Sequence, residues 1–143
     1  MSERFELLEH KADMGVRGYG KSFERAFEEC AKGMFSIMTD LKKVTGAETV
    51  ELTVKAKELG ELLVEWLNEL LSLADQKEMI FSEFTVKQIS VKDGEYHLEG
   101  NAKGEKLNKE KHEFKTEVKA ATYSGLETGK EDEEFFVQCV VDV

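Results

Sequence analysis

LGELLVEWLNELLSLA, residues 59–74, decides how the rest of the chain is read. Leu59, Leu62, Leu63, Trp66, Leu67, Leu70, Leu71 and Ala74 recur at the spacing of one helical face, an apolar stripe of period 3.6. Glu58, Glu61, Glu65, Asn68, Glu69 and Ser72 take the opposite face. A stripe this long predicts the spine of a single core. Trp66, the only tryptophan, sits at its centre, where burying a side chain of that size contributes on the order of 2–3 kcal/mol. The acidic face is either solvated or free to dock a basic partner.

Upstream, Phe23, Ala26, Phe27, Cys30, Ala31, Met34, Phe35 and Met38 repeat the same spacing. They predict a second amphipathic helix over 23–38, capped by the Ser22 hydroxyl. Before it, RFELLE (4–9) reads as a first strand, HKAD (10–13) as a tight polar turn, and MGVRGYG (14–20) as a short, bent second strand. Val50, Leu52, Val54 and Ala56 alternate with polar residues as a half-buried strand.

Beyond the spine, residues 79–92 are strand-like, with 79–81 as an optional separate strand. Phe84 and Val86 share one parity and Ile89 and Val91 the other, so a bulge is expected near Lys87-Gln88. Asp93-Gly94 has the chemistry of a two-residue type I′ hairpin, and Tyr96, Leu98 and Ala102 line the return strand. KGEKLNKEKHEFKT (103–116) reads as a polar connection, 117–127 as a strand and 129–134 as an acidic loop. FFVQCVVDV (135–143) is apolar on both faces, which predicts a central strand. The order ββαβαββββ gives an α+β fold: one domain over residues 1–143, with two amphipathic helices packed on a mostly antiparallel sheet.

The net charge of −10 is the most informative total. Gripping a phosphate backbone takes a basic stripe, so direct binding of nucleic acid is not expected. No apolar run reaches the ~18 residues that read as a membrane span, and MSERFELLEH lacks the order of a signal peptide. Cys30 and Cys139 stand on apolar faces in no metal spacing, which predicts free buried thiols in a reducing cytoplasm.

No phosphate-cradling loop, zinc pattern or nucleophile elbow is present. The imidazoles are His10, His97 and His112, and His97 is expected to be solvated. Asp142 is the odd residue, at the end of an apolar strand beside Val143. It is either an exposed end or, with Asp13, part of a site for a hard cation such as Ca²⁺ or Mg²⁺, which takes clustered oxygens. Asp13 has its own plainer reading as an Asx turn. Among the lysines crowded between 103 and 119, Lys119 stands apart, placed to point toward the aspartates; the others read as a solvated mixed-charge loop.

LEHKADMGVRGYGKSFERAFEECAKGMFSIMTDL, ELLVEWLNELL, KHEFKTEVKAATYSGLE and the closing VVDV resemble archease in order and spacing, over essentially the whole chain. Lys11 stands where that family usually has Thr, and Ser124 where many members have His. The resemblance implies an accessory protein and not an enzyme. It would activate the GTP- and metal-dependent RNA ligase of tRNA splicing, promoting guanylylation of the ligase histidine and multiple turnover. It also implies a bound divalent cation, commonly calcium (magnesium or manganese being possible), held by Asp13, Asp142 and the backbone oxygen of Val143. Asp40 of MTDL has a weaker claim, and Lys11 would tune the site. Two other readings compete: a metal-dependent phosphoester hydrolase using Asp13, Asp142, His10 and Lys119, and a chaperone-like module with exposed apolar surface.

Overall fold

The structure, a computed structural model, describes residues 4–10 and 13–143, with Glu9 and His10 described by backbone alone. Its elements are β1 (Phe5–His10), β2 (Asp13–Gly20), α1 (Phe23–Met38), a 3-10 turn (Leu41–Lys43) and β3 (Glu48–Ala56). They continue as α2 (Leu59–Lys77), β4 (Met79–Lys92), β5 (Glu95–Lys106), β6 (Ala120–Ala121), β7 (Glu127–Glu131) and β8 (Glu134–Asp142). The fold is α+β and every strand pairing is antiparallel.

The strands divide into two sheets. One runs β1-β2-β8-β6, with β7 also on β8; the other runs β3-β5-β4. Each helix packs against strands of both sheets, so the helices fill the space between them. One helix and two facing sheets account for why α1 is buried on more than a single stripe. Gly33 leaves room for Val16 and Phe5 of the first sheet, while Phe35 stacks on Phe81 and Phe84 of the second at 5.8 and 5.1 Å. At the centre Trp66 is fully buried, and its indole Nε1 donates to the Phe27 carbonyl of α1 at 3.1 Å. This one bond satisfies the polar atom of the largest core side chain and ties the helices together.

Both helices start and stop where local chemistry dictates. The Ser22 hydroxyl accepts from the Arg25 amide at 3.2 Å. The Glu61 carboxylate accepts from the Glu58 amide, and α2 ends on Glu78 in the left-handed region, φ 54°. The hairpin at Asp93-Gly94 has both residues at positive φ, 52° and 77°, as a type I′ turn requires.

β4 is one strand from Met79, with register shifts between Phe81 and Glu83 and between Val86 and Gln88. The second is the expected bulge. It lies on a sheet edge that α1 covers: the Arg25 guanidinium donates to the Val86 carbonyl at 2.6 Å and the Glu28 carboxylate accepts the Val86 amide at 2.7 Å. Backbone groups that would otherwise be open to another strand are thereby occupied. Burial raises the Glu28 carboxyl above its usual value, opposed by that amide.

Four segments differ from expectation. β2 is not a short strand but eight residues, paired on both sides. The strand expected over 117–127 is reduced to Ala120–Ala121. The acidic loop expected at 129–134 is in its first half the end of β7, an edge strand of polar residues that turns into β8 through Asp132 and Glu133, both at positive φ. The polar connection is also more anchored than its charge suggests, because β5 continues to Lys106 and His112 and Val118 are buried. β8 lies between β2 on one side and β6 and β7 on the other, central as predicted. Cys30 and Cys139 are free and buried; hydrogen bonding with Cys139, and then burial, pushes the Cys30 thiol well above its usual range.

Candidate functional site

β2 begins at Asp13 and β8 ends at Asp142, and the antiparallel register sets these residues directly opposite each other. Opposed residues in such a pair project to the same side of the sheet. Val16 and Cys139, also a register pair, are fully buried, so the aspartates, three residues away on each strand, lie on the face turned away from the helices. Both are half-buried. Ala120 of β6 is the next partner of Asp142. His10 is the partner of Asp13 in β1.

Like charges placed opposite each other across a strand pair are destabilising. Neither carboxylate forms an ion pair among the described residues. The donors are hard carboxylate oxygens, and they fit a divalent cation such as Ca²⁺ or Mg²⁺ better than a soft metal. Among the described residues no group of three or more His, Cys, Asp or Glu gathers at one point. Two carboxylates would fill only part of the six to eight positions that calcium prefers, leaving the rest to backbone, water or another molecule.

The other sequence-selected residues fall elsewhere. Lys119 reaches the site through its backbone, whose amide donates to the Asp142 carbonyl at 2.8 Å. Lys119 is also among the residues that line a groove of about 640 Å³ along α2, with Phe35, Leu71 and Phe114. Asp40 caps the 3-10 turn, accepting from the Lys42 amide at 3.1 Å. His97 stands between Lys55 and Ser90 on the second sheet, half-buried and not fully solvated. Ser124 is exposed, and its carbonyl accepts the Val140 amide at 3.1 Å. Lys11 lies outside the described residues.

A second cluster escaped the sequence reading. Glu105 Oε2 accepts from Lys111 Nζ at 2.7 Å, the Thr45 amide at 2.8 Å and His112 Nε2 at 2.9 Å. The Asn108 amide donates to His112 Nδ1 at 3.0 Å, which puts the proton of the neutral ring on Nε2. Bonding to Lys111 first, then Thr45 and His112, holds the Glu105 carboxyl at about 2, below its ordinary 4.5. Because the folded value lies below the unfolded one, this stabilisation is complete above about pH 4.5 and is lost as the pH falls toward 2. Glu105→Gln should therefore lower the thermal midpoint near neutral pH, with the gap to the parent closing through that window. A pH-independent gap in melting curves would contradict the assignment. The charges alternate as in any solvated loop, so only the burial of His112 reveals the cluster.

Residues 5–143 match the model of the archease protein family (MTH1598/TM1083). The chain is 43% identical over 141 residues to "Protein archease" of Thermococcus kodakarensis, covering 98% of this chain and 99% of that one. It is 40% identical over 141 residues to "Protein archease" of Methanosarcina barkeri, with 99% and 97% covered. The solution structure of Methanobacterium thermoautotrophicum protein 1598 superposes with a TM-score of 0.87 at 36% identity, over 99% of this chain and all of that one. A Thermotoga maritima crystal structure, described as an archease and possible chaperone, shares the fold at 19% identity and a TM-score of 0.52, with 95% and 94% covered.

Proposed function

This chain belongs to the archease family, and from that premise we propose that it activates a GTP- and metal-dependent RNA ligase of tRNA splicing in the cytoplasm. It is an accessory protein and not an enzyme. Its proposed work is to promote guanylylation of the ligase histidine and so to let the ligase turn over repeatedly. Asp13, Asp142 and the Val143 backbone oxygen are the residues that would hold a divalent cation there, calcium first and magnesium or manganese as alternatives.

The observation that carries this reading is the face-to-face placement of Asp13 and Asp142 with no ion-pair partner among the described residues. A sheet tolerates opposed carboxylates at a cost, which a cation or a basic partner would offset. With only two side-chain ligands, such a site stays open to a second protein. The charge of −10 favours meeting a basic protein surface over meeting RNA. The hydrolase reading would need Lys119 at the aspartates, and Lys119 is among the residues lining the groove at α2. No helix among the described residues is long and apolar enough to cross a membrane.

Substoichiometric protein should raise multiple-turnover joining of RNA ends carrying 3′-phosphate and 5′-hydroxyl by a purified ligase. Asp142→Ala and Asp13→Ala should each reduce that stimulation at least tenfold. Without added metal both variants should be as stable as the parent or slightly more so, since each removes a like-charge contact. Calcium at about 100 times its dissociation constant should stabilise the parent by about 2.7 kcal/mol and leave the variants unmoved. Full stimulation by both variants would exclude the reading.

A further inference from the structure

β6 is two residues long, and one of its two edges is held by a side chain instead of a strand. The Asn68 amide on α2 donates through Nδ2 to the Ala121 carbonyl at 3.1 Å and accepts the Ala121 amide through Oδ1 at 2.8 Å. An asparagine can satisfy one residue's donor and acceptor together because its amide carries both groups. On the opposite edge the same short segment bonds β8: Lys119 donates to the Asp142 carbonyl at 2.8 Å, and Thr122 donates to the Val140 carbonyl through its amide at 2.9 Å and its hydroxyl at 2.7 Å. Asp142 thus faces Asp13 on one side and, on the other, a strand too short to be stable alone. Sequence periodicity assigns Asn68 to the polar face of α2, yet its amide spans between helix and sheet.

We propose that Asn68 is the positioning residue of the carboxylate pair, clamping Ala121 so that residues 119–122 hold the Asp142 backbone in register with Asp13. This inference rests on the cation-and-ligase reading above for its functional consequence, but its structural claim can be tested alone. Asn68→Asp keeps the shape and the acceptor while losing the donor to the Ala121 carbonyl; Asn68→Ala loses both.

The first measurement is amide hydrogen exchange on the full chain without metal. In Asn68→Ala the Lys119 and Ala121 amides should exchange at least tenfold faster than in the parent, and in Asn68→Asp, which keeps the acceptor of the Ala121 amide, the Lys119 amide should do so, while amides of β5 keep their protection. Loss of protection at Ala121 with Lys119 unchanged would overturn the clamp, and so would uniform loss across β5. The second measurement is Mn²⁺ binding followed by electron paramagnetic resonance. The variants should bind at least tenfold more weakly than the parent, and affinity within twofold of it would overturn the functional half. A parent that binds no Mn²⁺, while Lys119 protection still falls in the variants, refutes the cation reading and leaves the clamp standing.

Discussion

Gly18→Ala is expected to lower the thermal midpoint by about 10 °C, the equivalent of roughly 3 kcal/mol in a chain of this length. A methyl at Gly18 would lie 2.3 Å from the Ala26 carbonyl oxygen and 2.5 Å from the Cys30 amide nitrogen. Both atoms belong to the α1 backbone, which cannot rotate aside as a side chain can. Relief requires lifting α1 from β2, and that would also disturb Val16 and Gly33. Gly60→Ala is the control. It sits in the first turn of α2, and its methyl would meet Leu126 no closer than 3.4 Å, an ordinary contact. There the better helix propensity of alanine should leave stability unchanged or raise it by up to about 1 kcal/mol. Circular dichroism melts of the two variants decide the matter, and equal midpoints would refute the close-packing account of Gly18.

Trp66→Ala should be the most damaging single truncation of the core, at about 3–5 kcal/mol. The indole is fully buried, and Gly100 of β5 is spared a side chain where the indole ring passes, a methyl there lying 3.2 Å from Trp66 Cζ3. No neighbour can collapse into such a space without moving a helix or a sheet. Trp66→Phe keeps most of the apolar area and loses the bond to Phe27, so about 1–2 kcal/mol is expected. Urea titrations give both values, and a Trp66→Ala midpoint close to that of Trp66→Phe would show that volume matters less here than the bond.

Patterned segments were legible in the sequence, and solitary ones were not. α1, α2, the bulge in β4 and the Asp93-Gly94 turn each repeat a signal that a single physical requirement imposes. β7 escaped because an edge strand wet on both sides has no period: Lys130 and Glu131 read as loop, and Glu127 as the end of a different strand. β6 escaped in the other direction, since its neighbours are strand-like in composition while only two residues find partners. Asp142 drew notice as a charge in an apolar run, and its register with Asp13 followed once β8 was placed against β2. Asn68 and His112 could not be found this way, because each acquires its role only from atoms far along the chain or from burial.

The position of β8 has a consequence for how this protein is made. β2, β6 and β7 all bond to it, so the first sheet has no middle until residues 134–142 have left the ribosome. At about 5–20 residues per second, the β1-β2 hairpin waits on the order of 10 s for its partner. Through that interval the nascent inner face of β2 has only α1 to shelter it. Joining ends so distant along the chain is slow on entropic grounds as well, which makes the closing strand the step that commits the nascent polypeptide to its final topology.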